Sequence, residues 1–498
     1  MKKKYLLIGL LIMAAVAWMV YQNSHSGKTQ ENGVGRDATP TASNGALPKG
    51  DATVAVLSVN DMHAAIDLMP RFAALVDSLR QVYPDLLVFS AGDNRTGNPV
   101  NDQYDPVNHP MIAMMNQVGF DLCTVGNHEW DGGVEALQNN IEEADFPFLC
   151  ANVILPNDVK LDVEPYQMLT NQGLRIGVLG LLETRHSGIP GAHPMHFEKI
   201  RFRKGIDVVP DYKHLREECN VFILLSHLGY EDDLEVAAHY PMFDAILGGH
   251  SHTLLEYPEK HNGVMVTQAG SSLKYATLVL FTVKQGQVTD VRAQTLDVEH
   301  FRKKDAAMQA LLDQFNTDMS FTEALATAAT PFENREELGC FVTDALREVS
   351  GADFAFNNTG GIRIDRLPRG PITLKDIYRI DPFNNEIVVY QMTGKQLERY
   401  IMESYKKNGR SPSYVSGMRY EVHTDSDGYP KSVSITPDRG SFSRNTVYKV
   451  AMNSYMASTV RFESEDEGEN QYMTSEEMLI QYLKKHKKVS YQGVTRVK

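Results

Sequence analysis

Five short apolar segments of this chain each run directly into polar side chains of the types that bind metal ions. In the clearest case, the apolar residues 120–125 are followed by Gly126 and then by an amide, an imidazole and two carboxylates within residues 127–131. The apolar run predicts a buried strand, the glycine allows a tight turn, and helical spacing resumes over residues 132–144. Open α/β sheets bind ligands at the carboxyl ends of their strands. The loop after residue 125 is therefore a candidate ligand-binding site.

The same arrangement recurs at four other predicted strand ends. The four apolar segments are residues 54–59, 86–90, 221–225 and 245–247. The candidate metal ligands that follow the five segments are Asp61, His63, Asp93, Asn127, His227, His250 and His252. Any one of these loops alone is also typical of an ordinary turn or a helix cap. Five of them in one sheet predict that these side chains meet along one edge.

The spacing and chemistry of these residues favour two divalent metal ions. Asp61 and His63 are two residues apart, so both face the same side of a strand end. His250 and His252 have the same spacing, and Asp93 is a candidate for a carboxylate shared between two cations. Mixed imidazole and oxygen ligands suit zinc, manganese, cobalt or iron(II) better than calcium. Two such ions activate a water molecule and hold a phosphoryl group.

His128 and Asp131 form a candidate catalytic pair next to this centre. His128 follows Asn127 and need not be a ligand, because an imidazole beside the metals can stabilise the charge that develops on phosphoryl oxygens. Asp131, three residues later, would orient the imidazole and raise its pKa. The alternative role of Asp131, as the N-cap of the following helix, is compatible with this one.

Composition limits the partners of the chain. Its 498 residues are enough for several domains, and hydrophobic residues make up 42% of them. The formal net charge is −14, so the chain is not expected to bind nucleic acid. An acidic protein still binds phosphates when metal ions supply local positive charge.

The N-terminus predicts export from the cytoplasm. Residues 1–4 are basic and residues 5–20 are apolar, a pattern that fits both a cleaved signal peptide and a retained membrane anchor within residues 1–22. Residues 23–50 are polar and predict a disordered linker. We therefore expect a periplasmic protein or one anchored at the cell surface. The four cysteines are sparse and lie in or beside apolar runs, which favours free buried thiols over disulfides.

Two folded domains are expected after the linker. Residues 51–300 alternate strand and helix patterns and predict a layered α/β catalytic domain. Residues 301–329 predict a helical connector, and residues 330–498 predict a second domain. Within it, Thr393 is expected to cap a helix over residues 395–405.

These motifs together resemble the secreted 5′-nucleotidase family, which includes UDP-sugar hydrolases and 2′,3′-cyclic phosphodiesterases. The matching motifs are Asn-Asp-Met-His at 60–63, Gly-Asp at 92–93, Gly-Asn-His-Glu-Trp-Asp at 126–131, Ser-His-Leu-Gly at 226–229 and Gly-Gly-His-Ser-His at 248–252. The resemblance implies a calcineurin-like metallophosphoesterase domain, a β-sandwich flanked by helices, followed by an α+β substrate-binding domain. It implies one metal ion held by Asp61, His63, Asp93 and His252. It implies a second metal ion held by Asp93, Asn127, His227 and His250. It also implies that His128 and Asp131 are the catalytic pair.

The second domain resembles the same family. The turn at residues 358–363 matches one whose arginine, here Arg363, meets the substrate phosphate. In the loop at residues 381–385, the resemblance implies that Phe383 stacks on the base and that Asn385 contacts it. Tyr455 falls where the family has the second aromatic ring of a base sandwich, and core packing is the alternative role of both rings.

The chain departs from the family pattern at three points. Residues 458–462 replace a Gly-Gly-Asp-Gly turn, and Ala64 stands where the family has glycine after the histidine. Arg335 alone is present where members often carry further phosphate-binding arginines.

The predicted function is that of a dinuclear-metal phosphohydrolase that releases phosphate from small-molecule nucleotides outside the cytoplasm. The alternatives are a hydrolase for UDP-sugars, 2′,3′-cyclic nucleotides or sulfur esters with the same metal site. A third interpretation is an exported nucleotide-binding protein with an idle catalytic domain.

Overall fold

The computed structural model describes residues 47–184, 188–317, 319–460, 466 and 468–497. The predicted signal or anchor, residues 1–22, lies outside these residues, as does most of the predicted linker. Within the described part of the chain, no helix is both long and apolar enough to cross a bilayer.

The first domain is built on two β-sheets. Its strands are β1 (Ala52–Val59), β2 (Leu87–Ser90), β3 (Leu122–Thr124), β4 (Phe148–Leu149), β5 (Val153–Ile154), β6 (Tyr166–Asn171), β7 (Leu174–Leu182), β8 (Arg201–Phe202), β9 (Val221–His227), β10 (Ala245–Leu247), β11 (Glu259–His261), β12 (Val264–Thr267), β13 (Tyr275–Lys284) and β14 (Gln287–Asp297). One six-stranded sheet has the order β14-β13-β1-β2-β3-β4, and the other has the order β11-β12-β10-β9-β7-β6. β5 and β8 form a separate two-stranded pair.

The two six-stranded sheets share one core. Val54 and Val56 of β1 contribute to the core between the sheets, whereas Leu57 and Val59 contribute to a second core on the outer side of the first sheet. Because both faces of β1 are buried, its sequence is apolar almost throughout instead of alternating with polar residues.

Helices cover the outer faces of this sandwich. They are α1 (Met69–Arg80), α2 (Pro99–Asp102), α3 (His109–Val118), α4 (Gly133–Glu143), α5 (Gly205–Val208), α6 (Tyr230–His239) and α7 (Ala306–Phe315). Phe72 of α1 and Met111 of α3 pack outside the first sheet, and Val236 of α6 packs outside the second. The prediction of a layered α/β domain, a sandwich flanked by helices, is confirmed.

The prediction that all five polar strand ends lie in one sheet was wrong. β1, β2 and β3 belong to the first sheet, and β9 and β10 belong to the second. The apolar pattern marks each strand as buried but does not specify its neighbours. Because the sheets pack face to face, the carboxyl ends of all five strands still reach one edge of the sandwich.

The second domain has the predicted α+β architecture. Its strands are β15 (Ala324–Ala328), β16 (Phe354–Asn357), β17 (Gly370–Thr373), β18 (Glu386–Thr393), β19 (Tyr414–Ser416), β20 (Met418–Thr424), β21 (Pro430–Pro437), β22 (Val447–Asn453), β23 (Glu469–Thr474) and β24 (Lys488–Val489). Its helices are α8 (Arg335–Ser350), α9 (Leu374–Ile380), α10 (Gly394–Lys407), α11 (Ser454–Thr459) and α12 (Ser475–His486). The main sheet has the order β19-β16-β22-β18-β23. As predicted, Thr393 caps the helix that follows it, in a capping box with Gln396.

The predicted helical connector, residues 301–329, is only partly helical. α7 packs through Met308 and Leu312 into the core of the first domain. β15, by contrast, pairs with β17 and β24 of the second domain, so residues 324–328 are not a connector. No local pattern marked this strand, because its pairing partners lie far along the chain. All four cysteines are buried and free, as predicted.

Candidate active site

The seven candidate metal ligands meet at the edge of the sandwich where β1, β2, β3, β9 and β10 end. Five of them have a left-handed backbone, with φ between 47° and 74°; these are Asp61, His63, Asp93, His250 and His252. Such a conformation costs roughly 1–3 kcal/mol per non-glycine residue and is concentrated at functional sites. Gly126 is required here because a Cβ at this position would overlap Asp93 Oδ1.

One group of candidate ligands consists of Asp61, His63 and His252. His252 Nε2 lies 3.3 Å from Asp61 Oδ1 and 3.0 Å from His63 Nε2. Burial and the nearby Arg363 guanidinium hold the pKa of His63 well below its ordinary value. The imidazole is therefore neutral, which is the form that binds a metal ion.

The second group consists of Asp93, Asn127, His227 and His250. Asp93 Oδ2 lies 3.2 Å from His227 Nε2. Asn127 Oδ1 lies 2.9 Å from His250 Nδ1 and 3.3 Å from His227 Nε2. His227 Nδ1 is 2.6 Å from the Ala91 carbonyl oxygen, a contact that fixes the ring and directs Nε2 toward the cluster.

The charges of this group suit a cation. Burial raises the pKa of the Asp93 carboxyl, but His227 and His128 outweigh burial and hold that pKa well below its ordinary value. Burial lowers the pKa of His227, but Asp93 and Asp61 raise it to about 10. The negative charges of Asp93 and Asp61 therefore keep the buried His227 imidazole protonated. A metal ion bound to this imidazole would displace that proton. The mixed imidazole, amide and carboxylate donors fit divalent metal ions.

Two supporting residues were not assigned a role from the sequence. Glu129 is buried, and its two carboxyl oxygens accept hydrogen bonds from the backbone N–H groups of Gly126, Asp93 and Asn94. It thereby ties the loop after β3 to the loop after β2. Asn60 Nδ2 donates to Asp61 Oδ2 at 2.7 Å and orients that carboxylate. The signal for Glu129 was present, since it is an acidic residue between the two members of the candidate catalytic pair.

His128 and Asp131 are in direct contact. His128 Nδ1 lies 2.7 Å from Asp131 Oδ2, and Thr96 Oγ1 donates to the same oxygen at 2.6 Å. Burial lowers the pKa of His128, but Asp131 and Asp93 outweigh burial and raise it above its ordinary value. The predicted orienting contact is therefore present, and it favours the protonated imidazole.

His128 is also close to the candidate ligands. Its Nε2 lies 3.9 Å from Asp93 Oδ2, and its ring centroid is 5.2 Å from that of His63. Ligand atoms of His63, Asp93 and His128 all lie within 4.8 Å of one another. Distances alone are thus compatible with His128 as a ligand or as a catalytic group, and the metal content of a His128 variant separates the two roles.

Arg363 and Phe383 of the second domain reach this site. Arg363 Nη2 donates to His63 Nε2 at 2.8 Å. The ring of Phe383 stacks on that of His128, with centroids 5.6 Å apart and planes at 27°. Residues 300 positions apart in the sequence therefore converge on one site.

Asn385 and Tyr455 lie in the same cavity between the domains, whose volume is about 820 Å³. The walls of this cavity, called the interdomain cavity below, also include His128, Asp131, Arg363 and Phe383. Asn385 Oδ1 accepts hydrogen bonds from Ser454 Oγ and from the Tyr455 backbone N–H, both at 3.2 Å. Asn385 thus joins the loop of Phe383 to the helix of Tyr455, a link that the sequence did not predict.

Two domain families account for most of the chain. A family model of calcineurin-like phosphoesterases matches residues 54–254. A model of the 5′-nucleotidase C-terminal domain matches residues 315–461. The chain therefore contains a calcineurin-like phosphoesterase domain followed by a 5′-nucleotidase C-terminal domain. A chain with this pair of domains is a metal-dependent phosphoric ester hydrolase.

Individual relatives are similar to this chain over most of their length. Protein UshA of Yersinia enterocolitica is 27% identical over 418 residues, which cover 71% of this chain and 75% of the relative. A 5′-nucleotidase of Vibrio cholerae is 25% identical over 391 residues, or 66% of this chain and 70% of the relative. The crystal structure of a 5′-nucleotidase precursor from Thermus thermophilus superposes with a TM-score of 0.81 at 24% identity. That superposition covers 90% of this chain and 99% of the other.

Proposed function

We propose that the protein is a dinuclear-metal 5′-nucleotidase that releases phosphate from nucleoside monophosphates outside the cytoplasm. The observation that carries this proposal is that the candidate catalytic pair and the candidate nucleotide-binding residues line one interdomain cavity. The similarity to 5′-nucleotidases supports the substrate class. The basic and apolar N-terminal segment supports export.

The proposed metal ligands form two sets that share Asp93. The first set is Asp61, His63, Asp93 and His252, and the second set is Asp93, Asn127, His227 and His250. Two bound divalent ions, such as zinc, manganese or cobalt, would supply an activated water and Lewis acidity at the phosphoryl group.

The remaining residues bind and orient the substrate. The Arg363 guanidinium, at the His63 end of the centre, presents N–H donors to phosphoryl oxygens. The His128 imidazole, oriented through Nδ1 by Asp131, directs Nε2 toward the charge that develops during hydrolysis. Phe383 and Tyr455 offer apolar surfaces to the base, and Asn385 holds their two elements together.

Phosphate release from a substrate panel tests this function. The panel contains nucleoside 5′-monophosphates, a UDP-sugar, a 2′,3′-cyclic nucleotide and nitrophenyl phosphate, each assayed with chelator and with added manganese, zinc or cobalt. We expect the highest kcat/KM for the 5′-monophosphates and loss of turnover with chelator. A higher kcat/KM for the UDP-sugar, for the cyclic nucleotide or for the base-free ester would contradict the assignment.

A further inference from the structure

One strand of the second domain presents a carboxylate to the interdomain cavity. Along β18, Ile387 and Val389 point into the core beneath α8. The residues that alternate with them face the cavity instead; these are Glu386, Val388 and Tyr390. This alternation is the ordinary period of a strand, so the direction of Glu386 follows from the burial of Ile387.

The Glu386 side chain is held in place by the neighbouring strand, in the cavity that Phe383 and Tyr455 also line. Asn470, from the neighbouring strand β23, donates from Nδ2 to Glu386 Oε2. The Glu386 backbone N–H donates to Ser454 Oγ at 3.2 Å, and Ser454 directly precedes Tyr455. The backbone of Glu386 therefore adjoins the Tyr455 helix, whereas its carboxylate lies on the β23 side of β18, in the cavity wall that also contains Asn385.

Glu386 is the carboxylate of this cavity that is available to a substrate. Among the described residues that line the cavity, the acidic ones are Asp131 and Glu386. Asp131 Oδ2 already accepts from Thr96 and contacts His128. A carboxylate has about four acceptor sites, and Asn470 uses one of those on Glu386.

An acidic group in a cavity for an anionic substrate repels that substrate unless the substrate brings hydrogen-bond donors to it. The two oxygens of a carboxylate match two adjacent donors. Guanine offers such a pair, N1–H and the 2-amino group. Adenine and cytosine place an acceptor beside their amino group, and hypoxanthine and uracil lack a neighbouring amino donor beside their ring N–H.

We propose that Glu386 makes the enzyme selective for guanine nucleotides by accepting hydrogen bonds from N1–H and the 2-amino group of the base. This inference rests on the proposed nucleotidase function and names the substrate class of the same cavity. The aromatic rings bind any base, whereas Glu386 stabilises bound guanine and disfavours bases that point an acceptor at it.

The same chemistry, a pair of adjacent donors, is also present in the 2′,3′-diol of ribose. Glu386 directly follows Asn385 and lines the same cavity as Phe383 and Tyr455, a position that favours the base edge. Assays with 2′-deoxyguanosine monophosphate separate the two sources, because that substrate keeps the guanine and lacks the diol.

The test measures kcat/KM for GMP, IMP, AMP and 2′-deoxy-GMP with the metal-loaded, full-length protein. IMP differs from GMP only by the missing 2-amino group. We expect a GMP-to-IMP ratio of at least about 10 in the wild type and a ratio near one in Glu386→Gln, because the ratio reports the contact with the 2-amino group, the donor that IMP lacks. Glu469→Gln is the matched control, since Glu469 is exposed on the same strand as Asn470 and its replacement removes an equal charge. The GMP-to-IMP ratio of this control should equal that of the wild type.

A wild-type GMP-to-IMP ratio near one, or a ratio unchanged by Glu386→Gln, would overturn the inference while leaving the nucleotidase function intact. If Glu386→Gln removes the preference for GMP over 2′-deoxy-GMP but keeps the wild-type GMP-to-IMP ratio, Glu386 contacts the ribose. That result would also overturn the inference. If the wild type hydrolyses no nucleotide, the proposed function fails. Calorimetric binding of GMP and IMP to the wild type and to Glu386→Gln then tests the base contact directly.

Discussion

Asp93 belongs to the second group of candidate metal ligands and lies beside His63 of the first group. Its Oδ2 is 3.2 Å from His227 Nε2, while ligand atoms of His63 and His128 also lie within 4.8 Å of it. Its Oδ1 accepts a hydrogen bond from the backbone N–H of His128 at 2.7 Å. One carboxylate thus serves both the proposed metal centre and the loop that carries the candidate catalytic pair.

Replacing Asp93 with alanine should remove bound metal and lower kcat by at least about 10³-fold, because a shared carboxylate keeps two cations close and their combined charge stabilisation is worth several kcal/mol. Metal content and steady-state rates measure the two effects. Asp93→Asn keeps the size of the side chain and tests its charge, and Tyr455→Ala is the control that should retain metal. Two ions and a near-normal rate in Asp93→Ala would show that the ligand assignment is wrong.

Replacing His128 with alanine should lower kcat by about 10²-fold or more while metal content stays close to that of the wild type. The reason is that, in the proposed function, the imidazole, oriented by Asp131 at 2.7 Å, would stabilise charge in the transition state and would not bind metal. Asp131→Asn should give a smaller loss, since it alters the orientation and charge of the imidazole but keeps the ring. Parallel loss of metal and rate in His128→Ala would instead identify His128 as a ligand.

At the scale of elements, the loop that carries Phe383 and Asn385 is attached to the N-terminus of α12. The Asn384 backbone N–H donates to Glu476 Oε1 at 2.8 Å, and the Phe383 backbone N–H donates to Asp381 Oδ1 at 3.4 Å. Both acids are buried. Burial raises the pKa of Asp381 to about 6, and burial together with the Asp381 charge raises the pKa of Glu476 to about 8.

These pKa values predict that stability decreases as the pH rises. An acid whose pKa is higher in the folded state stabilises the protein fully below its unfolded pKa, and that stabilisation is lost as the pH approaches the folded pKa. We expect the Tm to fall between about pH 5 and pH 8, and Glu476→Gln to flatten this decline and exceed the wild-type Tm by several degrees near pH 8. Glu477→Gln, at the next and exposed position, preserves the capping box and is the control. Parallel pH profiles for Glu476→Gln and the wild type would refute the role of this acid.

The rings of Phe383 and Tyr455 should contribute to base binding. Stacking on an aromatic ring is worth about 1–3 kcal/mol per base, so Phe383→Ala or Tyr455→Ala should raise KM for a nucleoside monophosphate by roughly 5- to 150-fold. A base-free nitrophenyl ester should be affected much less, because it reaches the metals without the rings. Since Phe383 also stacks on His128, its replacement should affect kcat as well, whereas that of Tyr455 should not. If Phe383→Ala and Tyr455→Ala raised KM for the ester as much as for the nucleotide, both rings would serve the fold and would not contact the base.

At the scale of the whole molecule, the candidate metal centre connects parts of the fold that are otherwise separate. Asp61, Asp93 and Asn127 follow strands of the first sheet, and His227 and His250 lie at the ends of strands of the second. Bound metal would therefore link the two sheets of the sandwich at one edge, close to Arg363 of the second domain.

Removal of metal should consequently lower the stability of the protein. A ligand at 100 times its Kd stabilises the folded state by about 2.7 kcal/mol. For a domain of about 250 residues, 1 kcal/mol shifts Tm by about 2–4 °C, so chelation should lower Tm by roughly 5–10 °C. Calorimetry before and after adding manganese measures the shift. Asp93→Ala should show no such shift, and a metal-dependent Tm in that variant would place the stabilising ion elsewhere.

Several features of this protein were determined by its sequence alone. The apolar runs specified buried strands, and their polar ends identified the residues that converge at one edge of the sandwich. The contact between His128 and Asp131 spans three residues within one turn, and the Thr393 cap depends on the next three residues. These predictions succeeded because hydrogen bonding and side-chain direction over a few residues are set by local geometry.

Only the tertiary structure decided how these local elements combine. It divided the five strand ends between two sheets, made residues 324–328 a strand of the second domain, and placed Arg363 against His63. It also directed Asn385 toward the Tyr455 helix and Glu386 into the interdomain cavity. The physical reason is the same in each case. These contacts join segments far apart in the sequence, and their formation depends on which apolar faces pack together, a choice that the pattern of one segment does not contain.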